Sequence, residues 1–303
     1  MKTKTKIIFL IIIVLVLIVA FAVLLSRENV AVLHPAGQIA SKERDLLFVT
    51  VLLGAGVVIP VFIMLFTIAF KYRDDNPKKR KYEPDWDHSK LFETLWWGIP
   101  GVIILILGAI AWQSSHALDP YKPLDSKEKP VNVQVVALQW KWLFIYPEEN
   151  IASVNFVQFP EGRPVNFQIT ADAPMNSFWI PKLGGQVYAM NGMSTKLHLI
   201  ADHIGEYQGS SANISGEGFA GMKFIAKASS QADYDSWINK TKASADHLDM
   251  TEYNKLAAPS KDVAPKAYML MQNDLYDKIV MKYMAPENKD AEMNHDHMNM
   301  EMQ

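Results

Sequence analysis

Glu93 is the residue of this chain whose position asks most of its chemistry. It stands in Ser89-Lys90-Leu91-Phe92-Glu93-Thr94-Leu95-Trp96-Trp97, at the start of an apolar run from Leu95 to Trp112. A carboxylate beside a hydrocarbon core is costly unless it faces water or protein. Two readings stay open: a carboxylate placed there for a function, or an interfacial side chain snorkelling towards the basic residues nearby. A second group lies in Gly209 to Met222, where Ser211, Asn213, Ser215, Phe219 and Met222 follow one another in a glycine-framed loop, with Asn176 upstream. Hydroxyls are hard, weakly acidic and poor ligands for Cu(I), and the 303 residues include no cysteine. A copper centre that needs a thiolate therefore cannot be built here, and disulfides are excluded for the same reason.

The histidines carry less. His198 lies in an alternating segment and His203 follows it, but neither has a partner at ligand spacing, so both read as surface or satisfied side chains. His88 and His116 flank apolar runs without a pattern that names a role. The tail from Ala291 to Gln303 is rich in His and Met, whose imidazole and thioether groups suit copper, although polar tails of this kind also occur without a metal.

These groups are positioned by two kinds of element. Half of the residues are hydrophobic and the formal net charge is −2, which points to neither nucleic acid nor an acidic partner. Three apolar runs dominate the first 112 residues: Ile7–Leu25, Leu46–Phe70 and Leu95–Trp112. Residues 1–27 read as a signal peptide or an uncleaved anchor helix, since the run is long for a signal and no small-x-small site follows it. The other two runs, about 46–70 and 95–112, read as a transmembrane hairpin within 28–120, with Pro60 and Pro100 tolerated as they are in membrane helices. Lys71, Arg73, Lys78, Lys79, Arg80 and Lys81 make the connecting loop 71–94 cytoplasmic by the positive-inside rule. Everything beyond Trp112 then lies on the outer, periplasm-like side.

From Pro130 the period changes to two. Val131–Leu138, Val165–Ile169, Thr195–Ile200 and Met222–Ala226 alternate, and Gln139–Tyr146 is a dense aromatic strand. Short alternating strands between glycine and proline turns indicate a β-sandwich over about 130–229. Beyond it, 230–286 reads as a helical arm, with helices at Asp233–Lys240 and Leu275–Met284, and 287–303 as a disordered His/Met tail.

Taken in order, several motifs resemble subunit II of haem–copper oxidases. They are His34-Pro35-Ala36-Gly37-Gln38-Ile39, Glu93 before Trp96-Trp97, the Trp140-Lys141-Trp142 pair, the Asn176 segment and the Gly209–Met222 loop. In that family the loop carries a cysteine, three residues, a second cysteine, then a histidine and a methionine. Here those positions read Ser211, Ser215, Phe219 and Met222, and the upstream histidine reads Asn176. The stripped loop, together with an arm around Tyr253–Ser260, resembles the copper-free quinol-oxidase branch of the cytochrome o type.

The resemblance implies a membrane-anchored, all-β architecture: N-terminal transmembrane helices, a copper-free cupredoxin-like sandwich and a short helical C-terminal arm. It implies a non-catalytic subunit of a proton-pumping oxidase in a bacterial plasma membrane, multi-pass, with its C-terminal domain periplasmic. Such a complex oxidises quinol and reduces oxygen to water, with haems and copper held by the catalytic subunit I and no cofactor or catalytic residue in this chain. Glu93 would sit near the mouth of a proton-uptake pathway. Asn176, Ser211, Asn213, Ser215, Phe219 and Met222 would be vestigial copper positions, with small polar side chains filling the former metal cavity by hydrogen bonding. Met222 would be core, and Trp140 and Trp142 packing or subunit contacts. Relatives trimmed and lipidated at a cysteine near residue 27 differ from this chain, which has none. The rival reading is a membrane-anchored copper-binding module working through the His/Met tail.

Overall fold

The computed structural model describes residues 30–72 and 87–284, together with Val16 and Val23. Apart from those two valines, the first apolar run lies outside the described residues, as do most of the basic loop and the His/Met tail. Residues 42–119 form one compact unit, and 120–284 form another with the short segment that ends at Ser41.

Helix α1 spans Gln38–Lys71 and α2 spans Lys90–Ala117, both longer than the apolar runs at their centres. Both are long and apolar enough to cross a membrane. Pro60 and Pro100 lie inside them without ending either helix. Beyond Ile39 and Ala40 no side chain of these helices is buried, and Phe62, Leu65, Trp97 and Leu105 stand exposed. A surface this apolar needs lipid or a protein partner around it.

The second unit is a sandwich of twelve strands among the described residues. They are β1 Val131–Leu138, β2 Lys141–Tyr146, β3 Ile151–Val154, β4 Phe156–Pro160, β5 Val165–Ala171, β6 Asn176–Trp179, β7 Val187–Ala189, β8 Thr195–Leu199, β9 Gly205–Ser211, β10 Lys223–Ser229, β11 His247–Leu248 and β12 Lys266–Leu270. One sheet runs β11-β12-β3-β2-β1-β5-β8 and the other β4-β10-β9-β6-β7. Most pairs are antiparallel, but β1 pairs with β5, β4 with β10, and β11 with β12 in parallel. Between the sheets Trp142 meets Phe178 edge-on at 5.3 Å and Phe224 at 5.8 Å, within a core that includes Phe144, Phe167 and Ile169.

Three further helices follow: α3 Gln231–Lys242, α4 Met250–Ala257 and α5 Leu275–Met281. Ser230 caps α3 by accepting the Asp233 N–H at 3.1 Å, and Asp249 caps α4 by accepting the Glu252 N–H at 2.8 Å. Helix α3 turns Tyr234, Ile238 and Thr241 inward, an i, i+4, i+7 stripe.

The arm is not purely helical, which corrects the reading of 230–286. Strand β12 pairs with β3 and so extends the first sheet, with β11 beyond it. Its side chains, with those of α4 and α5, cover the outer face of that sheet. There Val136, Leu138, Leu143, Ile145, Ala152 and Val154 form a second core with Leu248, Tyr253, Tyr268, Leu270, Leu275, Tyr276 and Ile279. That cover explains why alternation fails in the middle of the sheet. Strand β1 alternates over its first half and is buried throughout its second, and β2 is buried at every position. A sheet covered on both faces has no polar side to show.

Candidate functional site

The two groups of residues singled out by their chemistry lie in different units. In the helical unit, Glu93 lies in the first turn of α2. Its Oε1 accepts the backbone N–H of Ser89 at 3.3 Å and pairs with His88 Nδ1, while its own N–H donates to Ser89 O at 2.9 Å. The carboxylate therefore caps its own helix, where an anion also meets the positive end of the helix dipole. Its side chain is 36% exposed, so it is open to water or to a partner while held at a fixed place. The cap accounts for its geometry without accounting for the choice of Glu, since a neutral acceptor would also serve.

In the sandwich, Asn176 opens β6, Ser211 closes β9, and Ser215, Phe219 and Met222 follow in the loop and short 3₁₀ turn before β10. Strands β6 and β9 are neighbours, and this brings Asn176 and Ser211 together. Ser211 Oγ lies 3.0 Å from Asn176 Oδ1 and 3.1 Å from Asn213 O, and it accepts the N–H groups of Ser177 at 3.3 Å and Asn213 at 3.4 Å. Asn176 Nδ2 donates to Pro174 O at 2.7 Å, and Asn213 Nδ2 to Met175 O at 2.9 Å. Asn176 and Ser211 are both buried, and Met222 is a fully buried core residue. The side chains of Asn176, Ser211 and Asn213 thus knit the two segments together.

Ser215 departs from that pattern. Its Oγ is buried with no hydrogen-bond partner among the described residues, and its carbonyl instead accepts Trp140 Nε1 at 3.1 Å. The loop backbone runs close to the indole, and Ser215 Oγ takes no part in the Ser211 network. Trp140 itself has φ 66°, an uncommon conformation for a bulky residue, and belongs to the turn before β2 rather than to the strand. A Cβ on Gly218 would collide with the Trp140 ring, so that contact needs glycine. Trp140 is therefore a packing residue of the loop, and Trp142 one of the core.

This contrast predicts opposite mutational outcomes. Ser211→Ala leaves the buried Ser177 N–H and the part-buried Asn213 N–H without this acceptor and is expected to cost about 1–3 kcal/mol. Ser215→Ala removes a hydroxyl that is already unpartnered and is expected to be neutral or slightly stabilising. Thermal unfolding of the two variants checks both. A larger loss for Ser215→Ala than for Ser211→Ala would refute the assignment.

Among the described residues neither His198 nor His203 belongs to a group that could hold a metal ion. His198 is buried, with Nδ1 2.7 Å from Asn166 Oδ1, and burial lowers its pKa. The hydroxyl of Tyr207 donates to His203 O at 2.6 Å. The residues that sequence reasoning passed over are Ser177, whose N–H serves Ser211, Asp172 and Lys141, which bind the arm, and Lys261 of the arm, which pairs with Glu217. No spacing rule marked them, because their partners lie 34 to 117 residues away.

A family model described as COX Aromatic Rich Motif matches residues 242–287, the stretch from the end of α3 to just beyond α5. Cytochrome bo(3) ubiquinol oxidase subunit 2 of Pseudomonas putida is 52% identical, over 86% of this chain and 83% of that protein. This chain belongs to the ubiquinol oxidase subunit 2 family. Its counterpart in Pseudomonas aeruginosa is 46% identical over 94% of this chain and 90% of that protein. Ubiquinol oxidase subunit 2 of Acetobacter aceti is 44% identical over 86% and 85%. The family identified from the stripped loop and the arm is thus the one its relatives name. Within it, the donor set at 176, 211, 215, 219 and 222 is amide, hydroxyl, hydroxyl, phenyl and thioether, which does not fit a thiolate-bridged copper pair.

Proposed function

We propose that this chain is the non-catalytic subunit 2 of a proton-pumping terminal oxidase that oxidises a membrane quinol and reduces oxygen to water. The carrying observation is its 46% identity to an oxidase subunit 2 across 94% of its length, which takes in both the helical unit and the sandwich. Haems and copper sit in the catalytic subunit I, and α1 and α2 anchor the chain beside it in a bacterial plasma membrane. By the positive-inside rule the sandwich lies on the periplasmic face. Quinol delivers its electrons from within the bilayer, so no copper relay facing a soluble donor is needed, and a loop without thiolates is consistent with that. Asn176, Ser211, Asn213, Ser215, Phe219 and Met222 are then the positions of a lost metal centre. Glu93 supplies a carboxylate at a proton-uptake entrance, held in place by its own helix cap.

The test is purification of the tagged chain in mild detergent, followed by assays for haem, copper and oxygen uptake. Co-purification of haem and copper with a large multi-spanning partner is expected, with uptake driven by quinol and not by reduced cytochrome c. A chain that emerges alone, or with copper that disappears when residues 291–303 are removed, would instead make it an anchored copper-binding module.

A further inference from the structure

The C-terminal arm grips both loops that carry the lost-metal positions, at two separate places. At the first, Asp172 follows β5 and precedes Asn176 by four residues. Its side chain is only 3% exposed. It accepts the Tyr253 hydroxyl at 2.6 Å, Lys282 Nζ at 2.8 Å and the Tyr283 hydroxyl, while its N–H is fixed to Ala137 O at 2.9 Å. Burial pushes the carboxyl pKa up, but the three donors from the arm outweigh it and hold the group below its usual range. Beside it the Tyr276 hydroxyl lies 2.8 Å from Ser194 Oγ, on the turn after β7.

At the second place the segment Ala258–Asp262 meets the other loop. Lys141 Nζ, fully buried, donates to Ala258 O at 2.8 Å and to Ser260 Oγ, and Ser260 N–H donates to Gln139 O at 3.3 Å. Lys261 pairs with Glu217 and lies 5.6 Å from the Trp140 ring centre, and that ring in turn packs on Gly216 and Gly218. Gly221 passes so close to Asp262 Oδ1 that a Cβ there would collide with it.

Between these two grips the direct links from loop 172–176 and β6 to loop 211–222 are hydrogen bonds of neutral groups: Ser211 to Asn176, Ser177 N–H to Ser211 Oγ, Asn213 to Met175 O, and Ala212 N–H to Ser177 O at 3.0 Å, beside the β6–β9 pairing of Phe178 with Ser211. Each is worth little alone. We propose that the arm is a further cross-link between the two loops, fastening them from outside as a shared metal would from within. The comparison with a metal rests on the proposed reading of these positions, whereas the cross-link rests on the two grips alone. The arm is in this view a positioning element of the end of the sandwich that carries these loops. Its anchoring residues are Asp172, Lys141 and Glu217.

The distinguishing property of a cross-link is that cutting it on one side loosens the other. Hydrogen–deuterium exchange on the purified oxidase containing the full chain reads this directly. Asp172→Asn weakens only the first grip, and loss of charge-assisted bonds there is expected to speed exchange about tenfold or more at amides of residues 209–222, which Asp172 does not touch. Lys261→Gln is expected to do the same, more weakly, at Ser177 and its neighbours. Acceleration confined to the arm and to residues 172–176 would overturn the proposal. If Asp172→Asn fails to assemble, Tyr283→Phe, which removes one donor of three, is judged at the same amides by the same criterion. Quinol-driven oxygen uptake on these preparations tests the proposed function separately.

Discussion

A chain ending at residue 263 is expected to lose the folded sandwich while keeping the two long helices. The truncation removes β12 and α5, and with them Tyr268, Leu270, Leu275, Tyr276 and Ile279 from the second core. Val136, Leu138, Leu143, Ile145 and Val154, all at most 1% exposed, then face water. Complete burial of a side chain of this size stabilises by about 1.5–3 kcal/mol. Even partial exposure of five of them sums to on the order of 5–10 kcal/mol, which matches the whole stability of an ordinary domain, about 5–15 kcal/mol. Losing β12 also leaves β3 as an unpaired edge, a template for aggregation. Protease resistance of residues 130–229 in membranes carrying the truncated chain is the measurement. A resistant fragment at the normal level would show that the arm is an appendage, not part of the core.

That result bears on what the sequence could and could not disclose. Strand β1 was legible to the residue, because its first half has one face on the core and one towards solvent, and alternation records that difference. The helices were legible because each holds an apolar run of the length that a membrane-crossing helix needs. Strand β9 was not legible: Gly205-Glu206-Tyr207-Gln208-Gly209-Ser210-Ser211 reads as a turn-rich segment. Its glycine at 209 is there because the Phe224 ring occupies the space of a Cβ. Strand β12 was hidden by its context, since its pairing with β3 joins residues more than a hundred positions apart. The ligand-like positions could be placed by family order, and Asn176 and Ser211 do meet. That Ser215 meets Trp140 through its carbonyl and leaves its hydroxyl without a partner is a fact of packing that local sequence does not carry.

Glu93→Gln in the assembled oxidase is expected to lower quinol-driven oxygen uptake about tenfold while leaving the amount of assembled complex unchanged. The substitution is chosen because of what it preserves. Gln still presents an oxygen to the Ser89 N–H, so the cap of α2 survives, and only the ionisable group and its pairing with His88 are lost. A side chain that transfers a proton at a reacting atom is worth about 10²–10⁴ in rate. An entrance open to water is worth less, because water can deliver protons around the missing carboxylate, and this sets the smaller figure. Glu93→Asp keeps the charge on a shorter stem and is expected to retain more activity than Gln, at the cost of a weaker cap. Glu93→Ala removes both functions, so any loss of assembly should appear there and not in Gln. If Gln matches the unsubstituted enzyme in uptake and Ala alone is impaired, the carboxylate is a helix cap and the proton entrance lies elsewhere. If Gln falls and Asp recovers part of the rate, ionisation at this position is what the oxidase uses, and the cap is the device that keeps it there.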